Sequence, residues 1–339
     1  MKNPIEIGGV KVAAGEQMAI DLPLPSLYSH SPVCMPVYVV NGHSEGPVLF
    51  VSAAIHGDEI NGVEIIRRVL NKQYIKQLKG TLIAIPVVNV HGFVTQSRYL
   101  PDRRDLNRSF PGSKKGSMAA RLADTFMQEI VCKCDYGIDL HTAAVSRENL
   151  PQIRAKVIDA PETEALARAF GTPIILNAEI RDGSLREAVS NHGIPVLLYE
   201  AGEALRFNEV SIRAGVKGVI NVMRHLDMLP KLRTKKTLKE PIISNSSQWI
   251  RAPQSGIFRT VVTLGGRVTK GDIIGWVADP FGEQEQEVVA KFNGIVIGKT
   301  HLPLVHEGEA LLHIARVTKP NTTAKSVEIF HNEYDPNRD

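Results

Sequence analysis

Cysteine is scarce in this chain, with three residues, Cys34, Cys132 and Cys134, among 339. They are too few and too unevenly placed to form a disulfide framework. Cys132 and Cys134 are closer together than the roughly two to four intervening residues that zinc sites favour. We read all three as reduced thiols, which points to a reducing compartment. Long apolar runs are also missing: none approaches the roughly 18–20 residues needed to cross a bilayer. The opening MKNPIEIGGVKVAAGEQ has no apolar core after its lysine, so a secretory signal is not expected and the cytoplasm is the default location. A dense basic stripe is absent too, apart from KLRTKKTLK at Lys231–Lys239, which reads as a solvated linker. The formal net charge of +4 suits anionic small molecules and is too diffuse to indicate nucleic acid.

Apolar residues make up 43% of the chain and charged residues 22%, an ordinary globular balance. A length of 339 exceeds the size at which one hydrophobic core usually stops growing, so two domains are expected. Residues 48 to 230 alternate short continuous apolar runs (48–55, 81–89, 136–140, 195–201) with amphipathic stretches (58–70, 117–131, 161–170, 207–229). That alternation predicts an α/β fold with a mixed, mostly parallel sheet flanked by helices. Residues 1–45 read as an N-terminal β extension of this catalytic unit (46–230), and 231–248 as a basic linker. From 249 to 318 short β-type runs with regular glycines predict a small all-β sandwich or barrel, followed by a tail over 319–339. Inside the module a repeat is visible. Gly256-Ile257 leads into V-T-K-G-D and a closing apolar run, and Gly294-Ile295 leads into V-H-E-G-E and another. Two halves of roughly 38 residues suggest pseudo-two-fold symmetry.

Three motifs fall at carboxyl ends of predicted strands or in the loops between them, where open parallel sheets place their sites. Ile55-His56-Gly57-Asp58-Glu59 puts an imidazole and a carboxylate three residues apart in a strand-to-helix turn. Asp139-Leu140-His141-Thr142 closes another strand. His, Glu and His form a three-ligand set suited to zinc that leaves a further position open. The third motif, Arg98-Tyr99 through Arg103-Arg104-Asp105-Leu106-Asn107-Arg108-Ser109-Phe110-Pro111-Gly112, is dense in groups that fork onto carboxylates.

In combination and order, H-G-D-E, R-D-L-N-R-S-F-P-G, D-L-H-T and the strand end Y-E-A-G resemble the succinylglutamate desuccinylase/aspartoacylase family, a relative of the zinc carboxypeptidases. The resemblance spans about residues 45 to 315. It implies a carboxypeptidase-like α/β domain, a small C-terminal β domain of biotinyl/lipoyl type, and one Zn2+ per chain. It implies His56, Glu59 and His141 as metal ligands and Asp105 as the residue orienting His56. Asn107 and Arg108 would grip a substrate carboxylate, and Glu200 would carry the proton. The arginine that polarises the scissile carbonyl is Arg98 or Arg104, because the loop is two residues longer than the aspartoacylase pattern. The tyrosine that the family supplies from its second domain has no clear counterpart. At the turn where carrier domains attach a cofactor to lysine, this chain reads DPFGEQEQE, without lysine.

The implied activity is hydrolysis of the amide of an N-acyl amino acid. A metallocarboxypeptidase acting on peptide or peptidoglycan-type amides, and a non-catalytic small-molecule-binding protein on the same scaffold, stand as alternatives. The acids Glu179, Glu203 and Glu209 raise the expectation of a basic substrate. Homo-oligomer formation is left open.

Overall fold

A computed structural model describes residues 2–231 and 240–338; most of the basic run at 231–239 therefore lies outside the described residues. A hairpin, β1 (Ile5–Ile7) and β2 (Val10–Val12), precedes two long antiparallel strands, β3 (Gln17–Leu24) and β4 (Val33–Asn41). Next come β5 (Val48–Ala53), α1 (Asn61–Leu70), β6 (Thr81–Ile85), α2 (Val90–Val94), α3 (Met118–Glu129) and β7 (Tyr136–Ala143). They lead to β8 (Arg147–Ala155), α4 (Pro161–Phe170), β9 (Ile174–Asn177), α5 (Leu185–Asn191), β10 (Val196–Glu203) and α6 (Glu209–His225).

The helix boundaries follow from capping chemistry. The side chains of Ser117, Ser184 and Asn208 accept the orphan amides of Ala120, Glu187 and Ser211 at the starts of α3, α5 and α6. Pro161 opens α4, and Gly171, at φ +90°, closes it in the left-handed conformation.

The strands β6, β5, β7 and β10 run parallel in that order, with β4 and β3 added antiparallel at one side and β8 antiparallel at the other. The sheet is mixed, as expected. One apolar face packs on α1, α4 and α6 through residues such as Ile65, Phe170 and Ile212. The other packs on α3, α5 and the first hairpin through Phe126, Leu185 and Ile7.

The strand β8 is not evident from sequence, because RENLPQIRA is polar and carries a proline. Its pairing shows how Pro151 is tolerated. Over 147–149 the strand pairs with the C-terminal module, and over 152–155 it pairs with β9, so the proline sits at the handover.

After 240 the chain forms β11 (Ile242–Ser244), β12 (Ser247–Arg251), β13 (Gly256–Thr260), β14 (Arg267–Val268), β15 (Ile273–Ala278) and β16 (Glu285–Val289). It ends with β17 (Gly294–Thr300), β18 (Leu304–Val305), β19 (Ala310–Arg316) and α7 (Pro320–Tyr334). The repeat is visible in the pairing. β13 pairs with β15 and β18, while β17, its counterpart in the second half, pairs with β19 and β14. Each half lends a short strand to the other. Residues 320–334 are helical, where the sequence suggests only a tail. The apolar stripe of α7 is sparse, Val327, Phe330 and Tyr334, and its partners Ala214 and Val210 lie on α6, far away in sequence. β17 joins β8, so one thirteen-stranded sheet runs through both parts of the chain.

Candidate metal centre and active site

The first motif occupies the turn between β5 and α1. The helix starts at Asn61, later than the amphipathic pattern suggests, which leaves His56 to Glu59 in the turn, all buried. The turn is pressed against α2: a Cβ on Gly57 would lie 1.9 Å from the Gly92 carbonyl carbon. Only glycine allows so close a backbone approach. Ala54, at φ +51°, redirects the chain just before it.

This turn delivers Glu59 between two imidazoles. Its Oε1 lies 2.7 Å from His56 Nδ1 and its Oε2 lies 2.7 Å from His141 Nδ1. The ligand atoms of His56, Glu59 and His141 all fall within 4.8 Å of one another and are buried. Each imidazole is held from behind by a carboxylate. His56 Nε2 meets Asp105 at 3.0 Å, and His141 Nε2 meets Asp139 at 2.7 Å. Asp139 is fixed in turn by the Ser52 hydroxyl at 2.8 Å. Carboxylates behind imidazoles fix ring orientation and raise ligand basicity, the arrangement found behind metal-bound histidines. Two Nδ1 atoms and a carboxylate converging on one point fit a zinc ion.

The electrostatics agree. Burial pushes the Glu59 carboxyl up, but His56 and His141 outweigh it and hold it well below the usual carboxylate range. Burial pulls both imidazoles down, and the carboxylates outweigh that too: Glu59 and Asp105 raise His56, and Asp139 and Glu59 raise His141 further. Asp105, pushed up by burial, is kept well below its ordinary value by His56 and Arg98.

Asp105 begins the short 3-10 turn Leu106–Arg108, and one of its oxygens accepts the Asn107 amide at 2.8 Å. Asn107 Oδ1 accepts the amide of Leu185 at 2.9 Å, tying the turn to the start of α5. Arg98 spans Asp105 at 3.0 Å and Glu59 at 3.3 Å. Arg98, Asn107, Arg108, Glu200 and the His-Glu-His group line one cavity of about 250 Å³. Arg104 is not among its lining residues: its side chain is 62% exposed and pairs with Asp102 at 3.7 Å. Glu200 stands on β10 between His141 of β7 and Gln152 of β8, immediately before a bulge that re-aims the strand.

Further lining residues escape the sequence reading. β8 contributes Arg147, Asn149 and Arg154; the segment before α5 and α5 itself contribute Arg181 and Arg186; β12 contributes Trp249. Trp249 lies between His313, with ring centroids 4.8 Å apart and planes 9° apart, and the Arg147 guanidinium at 5.2 Å. It is the aromatic residue that the second part of the chain places at this pocket. None of these residues belongs to a recognisable local motif; the pairing of β8 with β17 brings Trp249 beside the β8 residues, and the Asn107 contact with Leu185 sets the start of α5 against the same cavity. Glu179, Glu203 and Glu209 are absent from the lining. Glu209 pairs with Arg68 at 2.6 Å, Glu203 accepts the Ser146 amide at 2.9 Å, and Glu179 is exposed. None of the three acids lines the cavity, and its wall carries six arginines instead.

Fold and site together describe an α/β protein whose buried His-Glu-His group, open to an arginine-lined pocket, could hold a metal ion. Residues 45–226, more than half of the chain, match the succinylglutamate desuccinylase/aspartoacylase catalytic domain, and the chain belongs to that family. It is similar to the N-alpha-acetyl-L-2,4-diaminobutyric acid deacetylase of Halomonas elongata, with 27% identity over 85% of this chain and 87% of that protein. Among solved structures it resembles the product-bound ectoine utilization protein EutE (DoeB) of Ruegeria pomeroyi. The TM-score is 0.82 at 25% identity, over 94% of this chain and 100% of that one. A succinylglutamate desuccinylase/aspartoacylase of Rhodobacter sphaeroides superposes with a TM-score of 0.79, also at 25% identity, over 88% and 95%. No helix among the described residues is long and apolar enough to cross a membrane.

Proposed function

We propose that this protein hydrolyses the amide of an N-acyl amino acid with one zinc ion held by His56, Glu59 and His141. The observation that carries the reading is the sharing of one small cavity by the three ligand side chains, Glu200 and a wall of arginines. Zinc, when bound, supplies a water acidified toward neutrality and a Lewis acid for the amide oxygen. Glu200 takes a proton from the attacking water as its oxygen bonds to the carbonyl carbon. It then returns the proton to the nitrogen as the C–N bond breaks, giving an amine and a carboxylic acid that ionises by releasing its proton to the amine or to solvent. Arg98 faces the cavity and stabilises charge developing on the carbonyl oxygen. Asn107 and Arg108 hold the substrate carboxylate and fix its orientation.

The substrate in this reading is acidic. Arg108, Arg147, Arg181 and Arg186 line the cavity with no carboxylate within ion-pair distance among the described residues. Burial followed by Arg108 lowers the Arg181 guanidinium, and burial followed by Arg154 pushes Arg186 down to about 10, the mark of crowded like charges. One carboxylate on Asn107 and Arg108 leaves Arg147, Arg181 and Arg186 without a counter-charge among the described residues, so a second anionic group on the substrate is favoured. An amine side chain such as that of diaminobutyrate would meet the wrong charge. A cavity of about 250 Å³ favours a small acyl amino acid over a polypeptide, which sets the carboxypeptidase alternative second. Residues 46–230 act as the catalytic unit and 249–318 as a biotinyl/lipoyl-like module, supported by the strand exchange between its halves. A cytoplasmic setting fits the free thiols.

The test is a panel of N-acetyl and N-succinyl derivatives of acidic, neutral and basic amino acids, with a blocked dipeptide, offered to zinc-loaded protein. Acidic members should turn over fastest. Hydrolysis of none, or preference for a basic side chain, would refute the proposal. His56→Ala should lose stoichiometric zinc; one zinc per chain in that variant would show the ligand set to be wrong.

A further inference from the structure

The proton carrier of the proposed reaction is itself held by a residue that no motif marks. Asn149 on β8 is 6% exposed, and its Nδ2 donates to Oε2 of Glu200. Arg154, farther along the same strand, reaches that same oxygen at 3.5 Å. Both contacts converge on Oε2. On the other side of Asn149 stands the C-terminal module: Gly298 of β17 is its register partner. A Cβ at 298 would lie 2.9 Å from Asn149 Oδ1, 3.1 Å from His313 and 3.5 Å from the Trp249 ring. The Asn149 amide therefore fills the space that Gly298 leaves empty, backed by the stacked pair of Trp249 and His313.

We propose that Asn149 is a positioning residue that fixes Glu200 by its Oε2, so that Oε1 takes and returns the proton, and that the C-terminal module sets Asn149 through Gly298. The proposal rests on Glu200 being the proton carrier. The physical argument is directional. An amide N–H can only donate, so it holds the carboxylate by one oxygen and keeps one rotamer populated. A proton carrier must sit within hydrogen-bond reach of its water throughout the reaction, and a freely rotating glutamate does so only part of the time. The module thereby has a part in the chemistry through the placement of Asn149.

Asn149→Asp keeps the shape of the side chain and removes the donor, whereas Asn149→Gln keeps the donor on a longer arm. With N-acetyl-L-glutamate and the other panel compounds as probes, kcat of Asn149→Asp should fall about 100-fold, within the range general acid–base catalysis spans. KM should change less than about threefold and zinc content should stay at one per chain, because the carboxylate clamp and the metal ligands are untouched. Asn149→Gln should recover at least about a tenth of the wild-type kcat. Gly298→Ala should lower kcat about five- to tenfold by displacing the amide. A crystal structure of Asn149→Asp should show the Glu200 carboxylate turned away from position 149, a readout independent of activity. Retention of more than half the wild-type kcat in Asn149→Asp, an effect confined to KM, or an unmoved Glu200 would each overturn the proposal. Glu200→Gln is assayed alongside. Full turnover there would overturn the assignment of Glu200 itself, which separates failure of the underlying reading from failure of this one.

Discussion

Acid should destabilise this protein through one buried imidazole outside the His-Glu-His group, His313. His313 on β19 is 6% exposed, stacks on Trp249, and uses only Nε2, which meets the Ser247 hydroxyl at 2.9 Å; Nδ1 is buried without a partner. Burial, reinforced by the charges of Arg154 and Arg181, pushes its pKa from 6.5 down to about 3. The folded state therefore resists the proton that the unfolded chain accepts below pH 6.5. The stabilisation is complete above pH 6.5 and is lost as pH falls toward 3, at about 1.4 kcal/mol per pH unit. Between pH 8 and pH 5 the loss is about 2 kcal/mol. His313→Phe keeps a stacking ring and cannot titrate, and the lost Ser247 contact costs the same at every pH. Urea unfolding of both proteins at pH 8, 7, 6 and 5 isolates the effect, because every other ionisable group is common to both. Wild-type stability relative to the variant should drop by about 2 kcal/mol across the series. A difference constant to within about 0.5 kcal/mol, the scatter expected of independent sites, would refute the reasoning.

Arg98 and Arg104 separate cleanly: Arg98→Ala should lower kcat/KM by about 100-fold or more, while Arg104→Ala, remote from the cavity, should stay within about twofold of wild type. Equal losses in steady-state assays would contradict that division. Gly57→Ala should force the 56–59 turn off Gly92 and lower bound zinc well below one per chain, measured by elemental analysis on folded protein; full zinc content would mean that the turn can yield. Asp139→Asn should weaken zinc binding about 10–100-fold in competition with a chelator, because the amide orients His141 less firmly. Unchanged affinity would assign Asp139 to packing alone.

The parts of the site that could be read from sequence are those written locally. H-G-D-E and D-L-H-T place the members of the His-Glu-His group at the ends of continuous apolar strands, and strand ends in a parallel sheet converge in space. The D-L-N-R turn is short enough for Asp105 to cap Asn107 and still reach His56. The rest depends on pairing between distant segments. β8 carries Arg147, Asn149 and Arg154 because it borders the cavity, and those same polar residues erase the apolar signature of a strand. Pro151 completes the disguise, although the change of partner at that point leaves its missing N–H without cost to the ladder. Arg98 and Arg104 are indistinguishable as letters, and only the path of the loop sends one inward. α7 escapes because only three of its buried residues, Val327, Phe330 and Tyr334, are apolar, at intervals that polar neighbours obscure.

The change in texture after Pro230 marks a boundary in sequence that is not a boundary in hydrogen bonding. A parallel α/β sheet must end somewhere, and an unpaired edge invites association with other chains. Here the outer edge of β8 is taken over 147–149 by β17 and over 152–155 by β9. Leu150, Ile174 and Leu176 are buried against Ile295, Ile297, Ala315 and Val327, so the junction has a core of its own. Because β8 also borders the pocket, covering its edge and building the pocket wall become one event. The pairing that protects the edge brings Gly298 beside Asn149 and Trp249 beside Arg147. A β module with no lysine for a swinging arm thus has a physical reason to be present: it covers part of the edge of the strand whose Asn149 donates to Glu200.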